Sequence, residues 1–79
     1  MKRIFCGVEF TEIEYSYHGE ETQQGLFVHD TSDINGDGDG IIGNGVTLPA
    51  NEDEARAILT NEYLETCFTI DSNSIYHID

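Results

Sequence analysis

Apolar and polar residues alternate from the start of the chain. Ile4, Cys6, Val8 and Phe10 share one face of an extended segment, with Phe5, Gly7 and Glu9 on the other. The alternation then changes parity. Ile13, Tyr15 and Tyr17 hold the apolar positions, and Glu12, Glu14 and Ser16 lie between them. A one-residue slip of this kind predicts a bulge or a tight bend near residues 11–12. Residues 18–21 (His-Gly-Glu-Glu) read as a turn and residues 25–29 (Gly-Leu-Phe-Val-His) as a short strand. Links this short leave no room for crossover helices, so the segments predict an antiparallel meander.

Residues 30–45 hold five of the eight glycines and predict a loop, with a candidate strand over 41–48 that Pro49 stops. Asn51 is a candidate N-cap with Glu54 three residues on. The acids Glu52, Asp53 and Glu54 suit the positive end of a helix. Ala55, Ile58, Leu59 and Tyr63 recur at helical spacing and predict the face turned to the sheet. Residues 67–70 and 74–78 read as two further strands around Asp71, Ser72 and Asn73. The expected fold is therefore α+β. It has an antiparallel sheet of four to five strands, and one helix over about 51–63 packs on one face. The expected core is Ile4, Cys6, Val8, Phe10, Leu26, Val28, Ile58, Leu59, Phe68 and Ile70.

Size limits what such a chain can do. With 79 residues and 8.8 kDa it is expected to form a single domain over 1–79. A chain of this length buries only about 60–65% of its unfolded surface, so the core is thin. No apolar run approaches the ~20 residues of a membrane span. The basic start, Lys2 and Arg3, precedes no apolar stretch of the kind a signal peptide needs. The expected compartment is thus a reducing cytoplasm, with Cys6 and Cys67 as small buried hydrophobes; a disulfide between them is the alternative. The absence of any Cys-x-x-Cys pair or Cys/His cluster argues against zinc.

Charge changes the picture more than any motif. There are 16 Asp and Glu against Lys2, Arg3 and Arg56, a formal net charge of −13. Such a chain repels nucleic acid and anionic membranes and is drawn to basic surfaces. It also works against its own folding, which calls for either a basic partner or a bound cation. For the cation, residues 33–38 (Asp-Ile-Asn-Gly-Asp-Gly) match the opening of a calcium loop. They resemble the loops of EF-hand proteins and bacterial dockerins. The resemblance implies that Asp33, Asn35 and Asp37 give side-chain oxygens and Asp39 its backbone carbonyl. It ends there: Gly40 stands where that family has a bulky apolar residue, and Asn44 where it has a bidentate Glu. A site with that neutral twelfth ligand would bind calcium weakly, at roughly 10⁻⁴–10⁻³ M. The competing reading of the same residues is a glycine-rich hairpin tip capped by its own Asp and Asn side chains.

For the basic partner, the candidate contacts are Glu9, Glu12, Glu14, Glu20 and Glu21, then Glu52, Asp53 and Glu54. Tyr15, Tyr17, Tyr63 and Tyr76 read either as core with a polar tip at its rim or as rings that stack on a partner's arginine, and Tyr17, beside the acidic turn, is the best candidate for the second role. In size, charge and lack of a catalytic constellation the chain resembles the small acidic inhibitors that phages encode against host nucleases, the anti-CRISPR and anti-restriction proteins. That resemblance implies a non-catalytic protein in the host cytoplasm, needing no cofactor, whose carboxylates take the place of nucleic-acid phosphates on a basic surface. Even spreading of the charge is too dilute for this. A chain of this mass exposes about 4,800 Å², or one net charge per ~370 Å². Duplex DNA carries about one per 110 Å², so mimicry requires the acids to gather on one face. Two other functions fit the sequence: a calcium-stabilised module built on the 33–38 loop, and a subunit that assembles through a sheet edge. His18, His29 and His77 have no nucleophile at a recognisable spacing, which argues against an enzyme.

Overall fold

Six strands and one helix account for the regular structure of the computed structural model, which describes residues 1–32, 38–43 and 45–79. Strands β1 (Lys2–Phe5), β2 (Val8–Tyr17), β3 (Gln23–Asp30) and β4 (Gly40–Ile42) form the antiparallel meander. Helix α1 (Glu52–Asn61) follows, then a hairpin of β5 (Phe68–Ile70) and β6 (Tyr76–Ile78). The strand order is β4-β3-β2-β6-β5, with β1 also on β2. The class is α+β as expected, but β6 lies parallel to β2, so the sheet is mixed rather than antiparallel. The helix stops two residues short of position 63.

The first strand is not continuous through Phe10. Cys6 and Gly7 both take positive φ, 54° and 76°, and turn the chain back so that Phe5 pairs with Val8. Two successive left-handed residues make the tight hairpin turn that suits the twist of paired strands. Cys6 therefore sits exposed at a hairpin tip instead of in the core.

No bulge occurs at residues 11–12. β2 pairs with β3 in unbroken register from Val8↔Asp30 to Tyr15↔Gln23. The parity change has another cause: β2 buries a different face at each end. Its even positions, with Phe10, join Leu26, Val28 and Ile42 under Ala55 of α1. Its odd positions, with Tyr15, join Ile41 and Ile78 against Ile13, Phe27, Phe68 and Tyr76.

The second cluster exists because the sheet curls. β3 and β5 are not neighbours in the strand order, yet Phe27 of β3 meets Phe68 and Tyr76 with ring centroids 5.7 and 5.2 Å apart. The curl is completed just before β5. Glu65 pairs with Ile41 of β4 through two backbone hydrogen bonds of 2.8 Å, each residue's N–H donating to the other's carbonyl. Among the described residues, the curled sheet thus closes on itself through one bridge. Gly40 makes the closure sterically feasible, since a Cβ there would stand 2.4 Å from Leu64 Cγ and 2.9 Å from the Glu65 carbonyl oxygen.

Several expected core residues prove to be surface. Ile4 is 58% and Ile70 54% exposed, and Leu59 also reaches solvent. Both cysteines are free and exposed. Tyr63 lies past the end of α1 and is 77% exposed, so it does not face the sheet. Phe10, Leu26 and Val28 are buried as expected, and Val8, Ile58 and Phe68 partly so.

Candidate functional site

The two ends of the molecule differ sharply in charge. At the end where β2 and α1 begin, all three cations of the chain are engaged. The Lys2 ammonium lies 3.4 Å from Glu9, and Arg3 donates to the Pro49 carbonyl at 2.9 Å. Arg56 pairs with Glu52 one helical turn away at 2.5 Å, and the Cys6 thiol donates to the same Glu52 carboxylate. The Cys6 sulfur and the Glu52 charge both favour the Arg56 cation and raise its pKa above the usual value.

One further acid at this end, Glu54, serves the helix together with the amide of Asn51. Asn51 accepts the Glu54 N–H at 2.9 Å as N-cap, and the Glu54 carboxylate accepts the Ala50 N–H at 2.6 Å. Glu9, Glu52 and Glu54, three of the residues expected to face a partner, thus already hold contacts within the chain. The rest of that set stays open. Among the described residues, no hydrogen bond or ion pair engages the side chains of Glu12, Glu14, Glu20, Glu21 or Asp53. Glu12 and Glu14 line a shallow groove of about 400 Å³ with Thr22, Gln23 and Gln24.

The opposite end carries no Lys or Arg. Here β2 and its parallel neighbour β6 finish together, with Tyr17 opposite Ile78, and the residues just past α1 lie beside them. A groove of about 100 Å³ lies between Tyr17, Tyr63, Glu62 and Glu65, with Tyr15 and Ile78 below. It continues past Tyr17 and Glu65 into a second recess of about 310 Å³ edged by Glu20 and Gln23. Tyr17 is 39% exposed, and its ring meets His18 edge-on at 4.2 Å. Glu62 is the C-cap residue of α1, whose last turn has no basic residue. A helix C-terminus carries partial negative charge, so Glu62 adds its carboxylate to a region already negative. Tyr17 was legible as a candidate from its place beside the acidic turn, and Tyr63 as one of four tyrosines open to that role. Glu62 and Glu65 were not. Their signal was an aromatic residue between two acids just past a helix end, which gains meaning only when β2 is brought beside it.

Two histidines are held by carboxylates. His29 Nδ1 and Asp39 Oδ1 are 2.6 Å apart, and that hydrogen bond raises the His29 pKa against the opposing effect of desolvation. His77 Nε2 lies 2.8 Å from Asp71, which also accepts the N–H groups of Asn73 and Ile75. These partners, His77 first, lower the Asp71 pKa below its ordinary range. Asp30 is lowered likewise by the hydroxyl and N–H of Ser32. No Ser, Thr or Cys side chain among the described residues hydrogen-bonds either imidazole.

Of the four candidate calcium ligands, Asp33, Asn35 and Asp37 lie outside the described residues. The side chain of the fourth, Asp39, is turned to His29. Among the described residues, no group of three or more His, Cys, Asp or Glu side chains is placed to hold a metal ion, and no helix is long and apolar enough to cross a membrane. No family model, no curated protein and no solved structure matches the chain.

Proposed function

We propose that the protein is a non-catalytic acidic inhibitor that occupies a basic, nucleic-acid-binding surface of a host defence nuclease complex. In this it acts like the phage-encoded anti-CRISPR and anti-restriction proteins, in the host cytoplasm. The observation that supports this reading is the segregation of charge. The net charge of −13 over 4959 Å² of surface averages one per about 380 Å², too sparse to compete with a nucleic-acid backbone. With all three Lys and Arg residues gathered where β2 and α1 begin, no Lys or Arg offsets the acids over the rest of the surface, so the net charge per area there exceeds that average. Carboxylates free of internal partners are the ones able to meet a partner's Lys and Arg.

The test is a set of charge-neutralising substitutions measured against the nuclease complex captured as partner. Glu12→Gln, Glu14→Gln, Glu20→Gln and Glu21→Gln together are expected to leave folding intact and abolish inhibition. Asp33→Asn with Asp37→Asn is expected to leave inhibition in place. Loss of inhibition from the loop pair, with the other set silent, would overturn this reading in favour of the calcium-loop one.

A further inference from the structure

We infer that the groove between Tyr17 and Tyr63 binds an arginine side chain presented by the partner protein. The inference rests on the reading that the partner is a basic protein surface, and adds where the contact lies and which side chain makes it.

Three features of the groove together select a planar cation. First, its charge is unmatched from within. Glu20, Glu62 and Glu65 border it, and each of the three Lys and Arg residues is engaged at the other end of the molecule. Second, α1 ends here with Glu62 at its C-cap and no base in its last turn, so the helix adds to the negative potential. Third, the walls are aromatic. Tyr63 is 77% exposed immediately after a helix whose core face it does not join, and Tyr17 is fixed by the edge of His18 and by pairing with Ile78 of β6. An exposed ring beside carboxylates offers little to the fold but gives a guanidinium a face to stack on.

Arginine fits these features better than lysine does. A guanidinium is flat, is weakly hydrated and donates in a fixed fork, so it can stack on a tyrosine while donating to a carboxylate. An ammonium meets the carboxylates but gains less from the ring, and its hydration shell is harder to remove. Nucleic acid is disfavoured as occupant because its phosphates would face Glu20, Glu62 and Glu65.

The experiment titrates the full chain with two probes, a nonaarginine and a nonalysine peptide, at about 50 mM and about 300 mM salt, with thermal melts run on every variant. Nonaarginine is expected to bind about tenfold more tightly than nonalysine. Tyr63→Ala, at a site too exposed to threaten folding, should remove most of that preference, and Tyr63→Phe should restore it. Glu62→Gln with Glu65→Gln should weaken both peptides, whereas Glu12→Gln with Glu14→Gln should leave the preference unchanged. Equal affinity for the two peptides, a silent Tyr63→Ala, or loss of the preference in the Glu12/Glu14 pair overturns the groove while a basic partner still stands. Failure of both peptides to bind at low salt overturns the groove and the basic-partner reading together.

Discussion

Gly40 is the residue on which closure of the sheet depends most directly. A methyl group there would meet the branch carbon of Leu64, which packs against the core, and the Glu65 carbonyl, which is held in the bridge to Ile41. Gly40→Ala is therefore expected to cost about 1–3 kcal/mol, the range for forcing extra volume into a packed site. In urea this should appear as a lower midpoint at unchanged slope; a midpoint equal to that of the parent protein would mean that the chain at 64–65 gives way freely. His29 makes a second prediction, in pH. Its hydrogen bond to Asp39 raises its folded pKa above the ordinary 6.5, so the folded chain holds a proton that the unfolded chain releases. That stabilisation is complete below about pH 6.5 and is lost as pH rises through the folded value. His29→Gln should flatten this fall in stability, and an NMR titration should place His29 above 6.5; a value at or below 6.5 would refute the pairing.

Among the elements, α1 is the most self-contained. Asn51→Ala removes the acceptor of the Glu54 N–H and is expected to cost about 1 kcal/mol, with Asn51→Asp largely sparing stability. Calorimetric melting of the two variants tests this, and equal losses would assign the effect to something other than the cap. The same locality explains why the helix could be read from the sequence: cap, acidic first turn and Ala55 all lie within five residues. The strands were legible only in part, because strand identity is local and strand pairing is not. Nothing near Tyr76 or Ile78 announces a parallel partner 61 positions earlier, at Tyr15 and Tyr17. The parity change in β2 was visible but ambiguous, since a slip in register and a change of buried face leave the same trace. Ile4, Leu59 and Ile70 show the opposite failure: their apolar character and phase were right, but a chain this small has too little interior for every such position.

For the molecule as a whole, what matters is where charge lies, and a count of charges does not reveal it. Lys2 meets Glu9 of β2, and Arg3 reaches Pro49 ahead of α1, only because the hairpin at Cys6 and Gly7 folds β1 back; Arg3 and Pro49 are 46 positions apart. The candidate groove was hidden for the same reason, with Tyr17 and Tyr63 contributed by segments far apart in the chain. Self-repulsion on the acidic surface should be strongly screened over a Debye length of about 10 Å at 0.1 M salt. Raising sodium chloride from about 10 mM to about 300 mM is accordingly expected to raise the melting temperature by several degrees. A flat response in calorimetry would show that the acids are spaced too widely to repel.

Among the described residues the sheet is shut by a single bridge, two hydrogen bonds between Ile41 and Glu65, whereas β2 and β3 share eight paired positions. Amide protons report such differences, because each exchanges through the cheapest opening that frees it. The Ile41 and Glu65 amides should exchange with deuterium at one common rate, faster than those in the middle of β2 and β3. Their release would part β4 from the chain leading into β5 and let solvent reach Phe27, Phe68 and Tyr76 while the β2–β3 ladder stays paired. If those two amides instead exchange as slowly as the ladder does, the closed sheet opens only by unfolding altogether.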